Sequence, residues 1–347
     1  MDTLQLEKDV ISMKKIGWGI LGPGAIAKQF AHCLALLDDA FIAAVGSRSL
    51  ERSQAFCAEF GGRAYGSYEE MCADPDVDIV YVATPHPFHE PHVIMACSAG
   101  KHVLCEKPFA VNNAQAVRMV EAAGRNHVFL QEGLWSRFLP AWQYVREEIA
   151  SGRFGVLRQV RCATCWGMTD DDVDLNGRLM RPDLAGGALL DAGFYSLAAM
   201  TFPRGKYDYP VFLSSHMQFE PLAPVDTCED IMMVFEDGFS AYLQSAFRRN
   251  DQECELVCDK ATIMIPINRN PSRIYIRDNP LFWAYWNPDH EPGCDLEQAR
   301  RTRMSKLPFS QRRGYNVSGG DMTALDFPYG TSGNIAKSKG ITQKNVE

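Results

Sequence analysis

Ile16-Gly17-Trp18-Gly19-Ile20-Leu21-Gly22-Pro23-Gly24-Ala25-Ile26-Ala27 is the stretch that decides how this chain folds. Its first six residues read as a buried strand. Gly22-Pro23-Gly24 then breaks the run, and a helical segment follows from Ala25 to about Leu37. Strand, tight turn and helix, with G-x-G-x-x-A across the junction, is the setting that a dinucleotide fingerprint requires. Gly22 permits the turn, Gly24 lets the backbone approach a pyrophosphate, and small Ala27 allows the helix to pack closely on the strand. The helix N-terminus offers free N–H groups and a positive dipole end to the phosphates. Gly22, Gly24, Ala25 and Ile26 are therefore the expected contacts for a dinucleotide.

Outward from this turn, strands and helices alternate, the mark of a parallel sheet. A second strand, Phe41 to Val45, ends in Gly46-Ser47-Arg48, close to where the ribose of the dinucleotide is held. No Asp or Glu stands there to take a ribose 2′-hydroxyl. Ser47 and Arg48 can instead bond and pair with a 2′-phosphate, so NADP is expected over NAD. The other reading is that Arg48 is only a solvated residue at a helix start. A further strand, Ile79 to Ala83, leads into Thr84-Pro85-His86-Pro87-Phe88-His89. His86 and His89 either face the cofactor or cap the next helix. No third ligand at suitable spacing accompanies them, so no metal is expected.

The next strand, His102 to Leu104, runs into Cys105-Glu106-Lys107-Pro108, where Pro108 stops the ladder and leaves Lys107 at the carboxyl edge of the sheet. Ligands bind along that edge in open parallel sheets. Lys107 is either a surface cation or a positioned proton donor and anchor for a reacting hydroxyl.

At 347 residues the chain exceeds one comfortable core and suggests two domains. With 46% hydrophobic and 22% charged residues, it has the composition of a globular protein. A net charge of -8 with no basic stripe argues against nucleic acid or an acidic membrane as a partner. The 11 cysteines are scattered and fit a reducing compartment, so cytoplasm is the expected location. No apolar run reaches the length of about 18 residues that a membrane span needs. Asn316-Val317-Ser318 formally matches a glycosylation acceptor, which the absence of a secretion signal makes idle.

From Gly155 the pattern changes to strands at Val156–Thr164, Val211–Phe219, Ile231–Phe235, Ser240–Ala246 and Thr262–Ile265, with Asp237-Gly238 as a hairpin signal. Strands in succession argue for an antiparallel sheet with one covered face. The fold class expected is α/β: an N-terminal Rossmann domain with a parallel sheet, plus a C-terminal α+β domain with a large open, mainly antiparallel sheet. The boundaries expected are a flexible N-terminus at 1–14, a Rossmann domain at 15–135, an α+β domain at 136–316 and a weakly ordered tail at 317–347.

The glycine turn, Ala83-Thr84-Pro85 with His89, and Glu106-Lys107-Pro108, in this order at successive strand ends, resemble the Gfo/Idh/MocA family of NAD(P)-dependent oxidoreductases. Glu132 to Pro140, containing Trp135-Ser136-Arg137-Phe138, and Gly186 to Tyr195 narrow the likeness. Where many members carry D-x-G-x-H, this chain has Asp191-Ala192-Gly193-Phe194-Tyr195. That pattern, with His86-Pro87, is similar to the subgroup of dimeric dihydrodiol dehydrogenase and NADP-dependent D-xylose 1-dehydrogenase, and to glucose-fructose oxidoreductase. The resemblance implies that Lys107 and Tyr195 share proton transfer while a hydride moves between the nicotinamide and a secondary alcohol or hemiacetal. It also implies Glu106 beside the nicotinamide and a homodimer formed through the C-terminal sheet. Phenols titrate near 10, so Tyr195 serves as a base only where a cation such as Lys107 favours its phenolate.

Asp191, one turn before Tyr195, is placed to orient substrate hydroxyls or Lys107. Trp135, Phe138, Trp166 and Trp283 are available to shape a pocket for a sugar or a diol, with Arg137, Asp191 and Asp183 for polar specificity. Apart from Trp135, each of these aromatics reads first as core or interface packing rather than as a ligand contact. The expected substrate is an aldose, D-xylose-like, or a trans-dihydrodiol. The alternatives are a reductase of another keto sugar or inosose, and a non-catalytic NADP-binding regulator. After Gly314-Tyr315-Asn316 the end of the chain departs from the subgroup, lacking the amphipathic helix that returns to the Rossmann domain.

Overall fold

A computed structural model describes residues 14–279, 322–326 and 342–345. The chain divides into two compact units between Gly133 and Leu134, two residues before the boundary expected from sequence.

The first unit alternates β1 (Ile16–Leu21), α1 (Ala25–Leu34), β2 (Ala40–Gly46), α2 (Leu50–Phe60), β3 (Arg63–Tyr65), α3 (Tyr68–Ala73), β4 (Ile79–Val82), α4 (His89–Ser98), β5 (His102–Cys105), α5 (Asn113–Arg125) and β6 (Leu130–Glu132). The six strands form one parallel sheet in the order β3-β2-β1-β4-β5-β6. Both faces of such a sheet are covered, which is why its strands read as near-continuous apolar runs. Leu21, Val80, Val82 and Val103 pack beneath Met71, Val93 and Met119 on one face. Ile20, Val45 and Tyr81 meet Ala27, Ala31 and Phe56 on the other. Each fully buried aliphatic side chain of this kind contributes about 1.5–3 kcal/mol. The order reverses between β1 and β4, so the loops after β1, β2, β4 and β5 gather at the carboxyl edge around that switch point.

The second unit contains α6 (Pro140–Ala150), β7 (Leu157–Cys165), α7 (Phe194–Arg204), β8 (Phe212–Glu220), β9 (Ala223–Val234), β10 (Ser240–Ala246), β11 (Cys254–Cys258), β12 (Ala261–Ile265), β13 (Arg273–Asp278), β14 (Met322–Asp326) and β15 (Thr342–Asn345). They build a nine-stranded sheet in the order β15-β14-β13-β12-β11-β7-β10-β9-β8. Every neighbouring pair is antiparallel except β7 with β10. Trp142 and Val145 of α6 and Met200 and Phe202 of α7 cover one face, against Val160, Leu243, Leu256, Ile263 and Ile274. At the far edge, β8 exposes all but its last residue.

Four differences from the sequence expectations have physical reasons. Helix α1 stops at Leu34 rather than Leu37. Strand β9 starts eight residues earlier than expected because its polar positions are satisfied across the sheet: Asp230 accepts from Gln244 at 2.7 Å, and Ser245 of β10 donates to Glu229. Strands β11 and β13 escape notice in the sequence, although both are paired on two sides. Within the stretch expected to be weakly ordered, 322–326 and 342–345 are strands at the end of the sheet. Residues 1–13, Trp283 and Gly314 to Ser318 lie outside the described residues. The Asp237-Gly238 turn joins β9 to β10 as expected, with Gly238 at φ +79°.

Candidate active site

In the first unit the expected cofactor residues line up along the carboxyl edge. Gly22 has φ +93°, and a Cβ there would lie 2.9 Å from the Thr84 side chain, so the β1 turn and the β4 loop fit only around a glycine. A Cβ on Gly24 would meet nothing within 4 Å, which leaves the start of α1, with Ala25 and Ile26, open to a phosphate group. Ser47 is buried, and its hydroxyl accepts from Ser49 N at 3.3 Å. Arg48 is exposed and makes no ion pair among the described residues.

Two loops are tied together by one imidazole. His89 is fully enclosed, with Nε2 2.8 Å from Thr84 O and Nδ1 2.9 Å from Pro108 O. Burial pushes its pKa down, although the two carbonyls favour the charged ring. Its side chain is therefore committed to pinning the Thr84-Pro85 and Lys107-Pro108 loops, and it caps no helix. His86 is also buried, its ring 5.8 Å from that of His89. His92, which sequence reasoning missed, holds Thr84 Oγ1 through Nδ1 at 2.9 Å and packs against Tyr68 and Phe88. Burial lowers it to about 4. Its only sequence signal is the i, i+3 spacing from His89.

Glu106 turns inward. Tyr81 donates its hydroxyl to Oε1, and Lys107 N donates to Oε2 at 3.1 Å. Burial raises the Glu106 carboxyl. Glu106 thus orders the backbone that carries half-buried Lys107, whose peptide bond to Pro108 is cis. Glu132 holds the far side of the same turn, accepting from Phe109 N at 3.0 Å, and it too was not singled out from sequence.

In the second unit four expected substrate residues converge. Trp135 opens a short 3-10 turn and donates from Nε1 to the Tyr195 hydroxyl at 3.2 Å. Trp166 follows β7, donates from Nε1 to Asp191 Oδ2 at 3.1 Å, and lays its ring edge-to-face with Tyr195 at 6.3 Å. Asp191 and Tyr195 do not share one regular helix turn: residues 189–193 are a π-helix that passes into α7. Trp166 touches both. The start of α7 is fastened by Ser196, whose hydroxyl lies 2.8 Å from Thr164 Oγ1 and 3.0 Å from Gln244 O.

Asp191 is further held by Arg178 Nη2 at 2.9 Å, a partner that sequence reasoning missed. Arg269, also missed, stacks its guanidinium 4.9 Å over Trp166. Arg137 faces Phe202 at 5.8 Å and lines, with Tyr195, Ala198 and Asn268, a small cavity. Asp183 is taken up by an exposed ion pair with Arg181 and does not join the cluster. Phe138 is exposed. Among the described residues, no group of three His, Cys, Asp or Glu side chains is arranged to hold a metal, and no helix is long and apolar enough to cross a membrane.

Comparison with known proteins covers both units. Residues 16–134 match the Gfo/Idh/MocA oxidoreductase family with its NAD-binding Rossmann fold, and residues 142–264 match the Gfo/Idh/MocA C-terminal domain. The chain is 42% identical over 181 residues to trans-1,2-dihydrobenzene-1,2-diol dehydrogenase of Mus musculus, covering 51% of this chain and 53% of that one. It is 41% identical over 200 residues to D-xylose 1-dehydrogenase (NADP(+)) of Hypocrea jecorina, covering 52% and 51%. The match thus spans about half the length of each relative. Among solved structures, aldose-aldose oxidoreductase from Caulobacter crescentus, complexed with glycerol, superposes with a TM-score of 0.69 at 27% identity, covering 77% of this chain and 81% of that one.

Proposed function

Because the chain belongs to the Gfo/Idh/MocA oxidoreductase family, we propose that it is an NADP-dependent dehydrogenase of an aldose or a trans-dihydrodiol. The observation that carries this reading is the Tyr195 cluster: a phenol held by Trp135, flanked by Trp166, and linked through it to Asp191. A Trp N–H given to the phenol oxygen leaves the phenol's own proton for another acceptor, which is the disposition an acid/base group needs. The proposed reaction takes a hydride from carbon to nicotinamide and a proton from the same alcohol's oxygen, with Tyr195 as acid/base and Lys107 as its cationic helper. Asp191 orients hydroxyls, and Trp135, Trp166 and Arg137 frame the ring of the substrate.

The first unit supplies the cofactor's place: phosphates at Gly22, Gly24, Ala25 and Ile26, a 2′-phosphate at Ser47 and Arg48, and the remaining dinucleotide along Thr84, Pro85, His86 and Glu106. His89 serves through the loops it pins. NADP is favoured because exposed Arg48 stands where an acidic ribose ligand is absent. The mouse relative, a dihydrodiol dehydrogenase, and the Hypocrea relative, a D-xylose dehydrogenase, support this choice of substrate class. We extend the reading to a homodimer through the open sheet face and to a cytoplasmic setting, which the mostly buried cysteines of the described residues suit.

Absorbance at 340 nm with NADP+ or NADPH and a panel of aldoses, keto sugars and trans-diols tests the function, with NAD+ and NADH alongside. Turnover of one sugar or diol class with NADP is expected. Silence across the panel with tight NADPH binding overturns the dehydrogenase and leaves a cofactor-binding regulator.

A further inference from the structure

In the second unit, the turn that carries Asp191 and Tyr195 is gripped from behind by three side chains to which the proposed reaction gives no role. Gly187 has φ +112°, and a Cβ there would lie 2.0 Å from Asp226 Oδ1. Two residues on, Leu189 N donates to Asp226 Oδ2 at 2.7 Å. At the other end of the turn, a Cβ on Gly193 would lie 2.8 Å from Ser245 Oγ, and that hydroxyl donates to Glu229 Oε2. Glu229 and Ser245 are each 1% exposed. The glycines at 187 and 193 are thus required by side chains of β9 and β10.

Glu229 Oε1 is buried and receives no N–H or O–H from a described donor. The carboxyl group of Asp226, three residues back on β9, acts on Glu229 and favours its neutral form. Glu229 is closed off from water beside the half-buried Asp226, and an enclosed carboxyl group next to another keeps its proton. Asp226 accepts the Leu189 N–H and is the more exposed of the two, so the proton belongs to Glu229.

No cation competes for Glu229 among the described residues. Asp230, on the same strand, is taken up by Arg249 and Gln244, and Arg178, on a neighbouring turn, by Asp191. Strand β8 sets Met217 opposite Glu229 and His216 opposite Asp230, and β10 sets Ser245 opposite Glu229.

We propose that protonated Glu229, acting through Asp226, is a positioning residue that holds the 187–193 turn, and with it Asp191 and Tyr195, in working geometry. The role in turnover rests on the catalytic reading of Tyr195; the clamp itself does not. Burial and the neighbouring Asp226 push Glu229 up to about 9, so the proton stays in place at neutral pH. Losing it sets a second negative charge against Asp226 and drives that carboxylate off the Leu189 N–H.

The test uses the full chain, wild type against Glu229→Gln, Glu229→Ala and Asp226→Ala. Glu229→Gln keeps an N–H for Asp226 and an acceptor for Ser245 but cannot ionise. Hydrogen exchange of the peptide spanning residues 186–195, read by mass spectrometry without ligand and corrected for intrinsic rates, is expected to stay within about two-fold of wild type in Glu229→Gln and to rise at least about ten-fold in the two alanine variants. In turnover, Glu229→Gln is expected to retain kcat, while Glu229→Ala lowers kcat about ten-fold with little change in KM. Equal loosening in Glu229→Gln and Glu229→Ala overturns the proposal. Loosening confined to the alanine variants supports the clamp even if wild type turns over nothing, an outcome that counts against the proposed reaction alone.

Discussion

The Trp135 indole N–H donates to the Tyr195 hydroxyl oxygen at 3.2 Å, with the two rings edge-to-face at 6.4 Å. The bond fixes which way the phenol can give its own proton. Trp135→Phe keeps an apolar ring and removes the donor, and kcat is expected to fall roughly ten-fold, the equivalent of about 1.4 kcal/mol. Tyr195→Phe removes the acid/base group itself and should lower kcat by roughly 10²-fold or more. Steady-state kinetics on the best substrate of the panel decide, and near-normal turnover in Tyr195→Phe would sink the assignment.

Lys107 sits on a backbone ordered by Glu106, and Lys107→Met removes its cation while keeping a long side chain. Lys107→Met should cost roughly 10²-fold or more in kcat while NADPH binding, followed by fluorescence titration, changes little. A variant that binds NADPH poorly but turns over normally when saturated would move Lys107 from proton transfer to cofactor binding.

Arg48 is the proposed discriminator between cofactors. Arg48→Leu should weaken NADPH by roughly 10–100-fold, about 1.5–3 kcal/mol for a hydrogen bond to a charged group, with NADH affected much less. Equal weakening of both cofactors would remove the 2′-phosphate role.

His89→Leu leaves a carbonyl of Thr84 or Pro108 without its donor in a fully enclosed place. Thermal or urea unfolding should show a loss of about 1–3 kcal/mol, the cost of one orphaned buried acceptor, together with weaker NADPH binding. Unchanged stability would show that the ring is not a pin.

His92 sets an acid limit on the first unit. Its folded value of about 4 lies below the ordinary 6.5, so the unfolded chain binds the extra proton and stability falls as pH drops from about 6.5 to about 4. In His92→Gln the decline over that window should be shallower. The comparison of unfolding midpoints at pH 7 and pH 4.5 checks it, and parallel declines in both proteins would refute it.

The parallel sheet was legible because its evidence is local. Strand β1 is a continuous apolar run, the glycine turn is contiguous with it, and Lys107 lies one step past the end of β5; each can be read within a dozen residues. Neighbouring strands then follow from connection rules alone. The second sheet was legible only in part, because Glu229, Asp230 and Glu255 break the apolar pattern of strands that are nevertheless central, their carboxyl groups being met by Ser245, Gln244 and Arg161 across the ladder.

The sequence by itself determined the fold class, the loop ends that receive a dinucleotide, and the identity of Lys107, Asp191 and Tyr195 as candidates, since residue type and short spacing suffice for these. Tertiary structure alone decided what each of them touches. Trp166 and Asp191 are 25 residues apart yet hydrogen-bonded, and Trp135 and Tyr195 are 60 apart. His89 became a pin, and Gly187 and Gly193 became seats for Asp226 and Ser245. Such contacts depend on which strands lie side by side and on what burial does to a charge, and neither is written in the spacing of residues along a chain.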